Sequence, residues 1–141
     1  MAIKQLTVFI ENKAGRLSEI VRQISDADVN IRAMSIADSS DCGILRLIVS
    51  DLKKAQGVLA GKYILSEIDV LAVKMTDKAG SLSKILTVLD KAGINIDYMY
   101  AFTAPALGAY VVLRVGDNAA AESVLKQNGM ETLTENDMKE F

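Results

Sequence analysis

Leu6, Val8 and Ile10 recur at every second position, the period of a strand that buries one face. The period then lengthens: Leu17, Ile20, Val21 and Ile24 fall at i, i+3, i+4 and i+7, which predicts an amphipathic helix. Asp28 closes that helix, and a second strand is expected from about Asn30 to Ala37. A turn over Asp38 to Gly43 leads to a third strand, Ile44 to Val49. Asp51 has the chemistry of an N-cap for a short helix carrying Leu52, Ala55 and Leu59, Gly61 stops it, and Ile64 to Ile68 reads as a fourth strand.

The same sequence of periods then returns. NKAGRLSEI at 12–20 reappears as DKAGSLSKI at 77–85, and residue i lies over i+65 at Lys13/Lys78, Gly15/Gly80, Ser18/Ser83, Ala27/Ala92, Met34/Met99 and Gly43/Gly108. Beyond Gly108 the second copy gains one residue, so Asp51, Ala55 and Leu59 fall on Asp117, Ala121 and Leu125. Its strands are expected at Leu71–Met75 and, last, at Glu131–Thr134; Gly93 and Asn128-Gly129 close its two helices. Strand, helix, strand, strand, helix, strand, twice over, predicts an α+β protein with helices on one face of antiparallel sheets. The expected domains are 1–69 and 70–141, joined at Val70 almost without a linker. A module of about 70 residues is marginal alone, so paired copies are expected to support each other. Ile44 and Ile48 share a parity with Arg46, as Tyr110 and Val112 do with Arg114. The second sheet face is therefore not plainly polar, and partial cover by another sheet, of the same chain or a second one, is expected.

Composition narrows the chemistry. Half of the 141 residues are hydrophobic, 24% are charged and the formal net charge is −2, so neither nucleic acid nor an acidic membrane is an expected partner. No stretch approaches the roughly 20 apolar residues of a membrane helix, and MAIKQLTVFI reads as a strand rather than a signal peptide. Cys42, the single cysteine, allows no intrachain disulfide or cysteine cluster and fits a turn in a cytoplasmic protein. The chain has no histidine, which removes the Ser-His and Cys-His nucleophile pairs, the commonest metal ligand and the usual base near neutrality. Neither a metal nor a cofactor is expected.

A strand followed by [N/D]-K-A-G-x-L-S, an amphipathic helix and then [V/I]-N-I resembles the ACT domain, and the resemblance covers both halves of the chain. It implies two ferredoxin-like βαββαβ modules in tandem, of the free-standing kind that binds an amino acid and regulates metabolic enzymes. The family's ligand sits where two modules meet. Carried over, that site comprises Asn12, Ala14, Gly15 and Leu17 in the first loop, with Asn30 and Ile31 at the start of the second strand. In copy two it comprises Asp77, Ala79, Gly80 and Leu82, with Asn95 and Ile96. The expected partners are a free amino acid as effector, a second copy of the chain, and a metabolic enzyme or regulator as target.

The residue types suit that use. A helix N-terminus presents unpaired N–H groups to a carboxylate, and a glycine lets ligand atoms approach the backbone. The Asn30 and Asn95 amides and the Asp77 carboxylate would accept from an ammonium. Copy one carries Asn12 and Arg32 where copy two carries Asp77 and Asp97, which makes the second loop the better ammonium site. Tyr98, Met99, Tyr100 and Phe102 replace Ala33, Met34, Ser35 and Ala37; they are a surface for an apolar ligand side chain or, alternatively, core or subunit interface. Two other readings stand beside binding. An Asn/Asp-x-x-Gly loop is also an ordinary turn, which would leave a structural or protein-interaction module. Hydrolysis of a small acyl phosphate, known on ferredoxin-like folds, would need Arg16 near an asparagine, and Ser81 stands at that place in copy two.

Overall fold

The computed structural model describes residues 2–11, 13–38, 42–104 and 108–139. The chain divides into two compact units, Lys4–Ile68 and Met1–Ile3 together with Asp69–Phe141.

In the Lys4–Ile68 unit, β1 (Ile3–Ile10), α1 (Arg16–Asp26), β2 (Ile31–Asp38), β3 (Gly43–Val49), α2 (Leu52–Leu59) and the first part of β4 (Ile64–Met75) follow in order. The strands lie in the order β2-β3-β1-β4. β1 and β2 each run antiparallel to β3, with Leu6 opposite Leu47, Ile10 opposite Gly43 and Ile31 opposite Val49. The alternation read from the sequence decides which face is dry. Leu6, Val8, Ile10, Leu45 and Leu47 meet Ile20 and Ile24 of α1 and Ala55 and Leu59 of α2 in one cluster. Removing a side chain of this size from water contributes about 1.5–3 kcal/mol.

The second unit repeats the plan with the remainder of β4, α3 (Ser81–Lys91), β5 (Ile96–Ala104), β6 (Gly108–Val115) and α4 (Asn118–Gln127), and adds a short α5 (Glu135–Met138). Its strands lie in the order β4-β6-β5, with Leu71 opposite Leu113 and Ile96 opposite Val115. Leu71, Val73, Val111 and Leu113 pack on Ile85, Leu89, Ala121 and Leu125.

Both predicted caps form. The Asp51 carboxylate accepts from Lys54 N at 3.1 Å and that of Asp117 from Ala120 N at 3.0 Å. Asp28 and Gly93 follow their helices at φ 59° and 72°, the left-handed conformation that ends a helix. The sheet face away from the helices is also buried at Ile48, Tyr110 and Val112, in keeping with its mixed pattern. Gln5 and Thr7 are buried on β1, joined by a 3.0 Å bond from Gln5 Nε2 to Thr7 Oγ1.

Two predicted boundaries change. The fourth strand of copy one and the first of copy two are a single strand, β4, because nothing between Ile64 and Met75 breaks extended backbone. The expected strand Glu131–Thr134 reduces to one bridge, Thr132 with Val73, flanked by Lys74 N to Glu131 O and Leu133 N to Ala72 O, both 2.8 Å. Thr134 and Asp137 then cap each other in a box that starts α5 and ends the extended run. Of the predicted turn after the second strand, residues 39–41 lie outside the described residues.

The caps give a direct check. Asp51→Ala and Asp117→Ala should each lower unfolding free energy by about 1 kcal/mol in urea titrations, while Asp→Asn at either place should change it by only a few tenths.

Candidate functional site

Each unit turns from strand into helix through a glycine. Gly15 precedes α1 at φ 90°, ψ −17°, and Gly80 precedes α3 at φ 90°, ψ −12°, with no side chain capping either helix. A Cβ on an L-residue is disfavoured in this conformation. Space does not demand the glycine, since a Cβ built on Gly15 or Gly80 meets nothing within 4 Å. Ala14, Gly15, Asp77, Ala79 and Gly80 are all exposed. The two turns are thus open and left-handed, and each is closed by a main-chain bond, Arg16 N to Lys13 O and Ser81 N to Lys78 O, both 3.2 Å.

The remaining predicted residues split into two groups. Leu17 and Ile31 pack against the core of the first unit, and Leu82 and Ile96 against that of the second. Asn30 and Asn95 are exposed. Asn30 is held by its backbone, its N–H donating to Ser50 Oγ and its carbonyl accepting from Ser50 N, both at 2.9 Å. The Asn95 amide approaches Asp97 Oδ1 at 3.4 Å. Asn12 lies outside the described residues.

Strand register fixes how these groups stand to one another inside a unit. Ile10, which leads into the glycine turn, lies opposite Gly43, whereas Ile31, which follows Asn30, lies opposite Val49. In the second unit Met75 lies opposite Ala109 and Ile96 opposite Val115. Six residues of extended strand at about 3.3 Å each put roughly 20 Å between the two ends. Loop and strand start therefore occupy opposite ends of one module, and no single module brings them together.

The first loop carries a chain of ion pairs. Glu11 meets Lys13 at 3.0 Å and Arg16 at 3.5 Å, and Arg16 reaches Glu19 at 3.7 Å. The hydrogen bond and charge of Lys13, helped by Arg16, hold the Glu11 carboxyl below its ordinary range. Arg16, the arginine that acyl-phosphate hydrolysis would need, is engaged with two carboxylates. The second loop has Thr76, Ser81 and Lys84 at these places, and its tie is a bond from Thr76 N to Ser81 Oγ at 3.0 Å.

Beside the second loop lies a pocket of about 260 Å³ that Asp77, Ala79, Gly80 and Leu82 do not line. Its wall carries Lys74, Ser81 and Lys84, and Met75, Ile85 and Met130 give it an apolar bed. The sequence signal for it was the departure of copy two from copy one, Ser81 for Arg16 and Lys84 for Glu19, rather than anything the copies share.

The aromatic strand divides between faces. Met99 lies opposite Leu113, on the helix side, and stays 41% exposed. Tyr98, Tyr100 and Phe102 lie opposite Arg114, Val112 and Tyr110 on the other side, where Phe102 stacks on Tyr110 with centroids 5.4 Å apart. Among the described residues there is no cluster of metal-ligating side chains, and no helix long and apolar enough to cross a membrane.

Comparison with known proteins bears on all of this. The family described as an ACT domain pair matches residues 1–141. The crystal structure of protein BT0572 from Bacteroides thetaiotaomicron is similar at TM-score 0.90 and 36% identity, covering 100% of this chain and 98% of that one. The regulatory subunit of aspartate kinase from Thermus thermophilus, in a ligand-free form, shares the fold at TM-score 0.65 and 11% identity, over 89% of this chain and 90% of that one. Its counterpart from Thermus flavus does so at TM-score 0.59 and 13% identity, over 88% and 90%. No curated protein matches the chain.

Gly80→Ala should cost about 1–2 kcal/mol of stability from its backbone conformation alone. Gly43→Ala tests space instead, because its Cβ would stand 3.1 Å from Ile10 Cγ1 and Ile10 must shift by a few tenths of an ångström to admit it. Chemical denaturation of both variants, with a crystal structure of each, checks the contrast: Ile10 should move only in the second.

Proposed function

Because the chain belongs to the ACT domain pair family, we propose that it is a regulatory module that binds a free amino acid and has no catalytic activity of its own. The observation that carries this reading is the recurrence of an exposed, uncapped, left-handed glycine turn at the head of α1 and of α3. Backbone N–H groups at such a turn suit a carboxylate, and nothing of the protein covers the glycine. Asn30, Asn95 and Asp77 supply the acceptors for an ammonium.

The separation of loop and strand start within a module makes the site a shared one. Two modules set side by side and antiparallel bring the loop end of one to the strand-start end of the other. The edge strands β2 and β5 offer the surface for such pairing with a second copy of the chain: Met34, Ile36 and Met99 are 40%, 47% and 41% exposed there. The homodimer is thus part of the proposal, with domains 1–69 and 70–141 as its modules. A cytoplasmic metabolic enzyme or regulator is the proposed recipient of the signal, since ligand matters only where it favours one arrangement over another.

Calorimetric titration with each of the twenty amino acids, alongside sedimentation velocity, tests the reading. At least one should give saturable heat and raise the melting temperature, with affinity reduced in Asp77→Ala. Silence from all of them would leave a structural or protein-interaction module whose loops are ordinary turns.

A further inference from the structure

The two units place different chemistry at one position of the fold. In the first unit Tyr63 follows α2 with its N–H on Leu59 O at 3.2 Å, and it packs on the core. Its phenol is pushed up by burial and by the neighbouring Glu19 carboxylate, which also holds Arg16. In the second unit Met130, five residues beyond Leu125 rather than four, donates its N–H to Leu125 O at 3.0 Å and packs on that unit's core. Ser81 and Lys84 stand where Arg16 and Glu19 do. A ring and an ion pair have given way to a flexible thioether, a hydroxyl and a single cation, and the pocket of about 260 Å³ lies here.

Its lining has a definite charge. Lys74 is matched by Glu131 at 3.7 Å, whereas Lys84 has no ion-pair partner among the described residues, so the wall is left with one positive charge. Ser81 Oγ accepts from Thr76 N, which leaves its own O–H free to donate. Below these polar groups the bed is apolar, and methionine adapts to chains of varied shape. We propose that this pocket binds a small organic monoanion, a carboxylate on a short apolar chain, with Lys84 and Ser81 holding the carboxylate and Met75, Ile85 and Met130 the chain. The site is separate from the glycine-turn reading and does not depend on it.

Backbone-amide NMR of the full chain, titrated with hexanoate, hexanamide and hexylammonium, tests this. Hexanoate should give saturable shifts confined to residues 74–76, 81–85 and 129–131, and the neutral and cationic analogues should bind at least about tenfold more weakly, the scale of a lost charge-assisted bond. Lys84→Gln should weaken hexanoate by about the same factor. The pair Ser81→Arg with Lys84→Glu, which copies the first unit, should abolish binding without lowering the melting temperature. No saturable shifts, shifts centred elsewhere, equal binding of the amide, or indifference to Lys84→Gln would each overturn the proposal. Shifts at 77–80 and 95–96 with amino acids report on the glycine turns, so the two readings fail independently.

Discussion

Leu6, Val8, Leu45 and Leu47 meet Ile20, Ile24, Ala55 and Leu59 in one closed aliphatic layer, and every functional position follows from keeping that layer dry. A helix can cover the sheet only if the chain reverses sharply at the strand end, and the left-handed glycine makes that reversal within a few residues. The turn's backbone is thereby left in water at the head of the helix. The exposure of the loop backbone is a by-product of how the core is closed.

The periods of the chain were enough to place this layer, since Leu6, Val8 and Ile10 at period 2 and Leu17, Ile20 and Ile24 at period 3.6 each line one uniformly apolar face. Asp51, Asp117, Asp28 and Gly93 were legible for the same local reason: a cap or a left-handed residue acts within one helical turn. That Ile64–Ile68 and Leu71–Met75 form one unbroken strand was not legible. A strand stops when its partners stop, and the partners of Ile64–Met75 lie far off in sequence. Thr134 and Asp137 stand at the spacing of a capping box, a local signal for α5 that the apolar period of Glu131–Thr134 does not carry.

Of the candidate site, the loops were legible and their separation was not. That Asn30 and Gly15 stand at opposite ends of a module depends on the registers of two strand pairs, which no local pattern encodes. The pocket beside α3 was hidden for another reason. Matching the copies highlights what both keep, whereas Ser81, Lys84 and Met130 are where the second copy departs from the first. Duplication lets one module retain its ion-paired form while the other is free to change.

Strand β4 carries residues of both units without a break. A protease or a recombination event that separated the copies at their junction would therefore sever sheet backbone, not a tether, and leave raw, aggregation-prone ends on each fragment. Inheritance of the pair as one gene product is the evolutionary corollary of that shared strand.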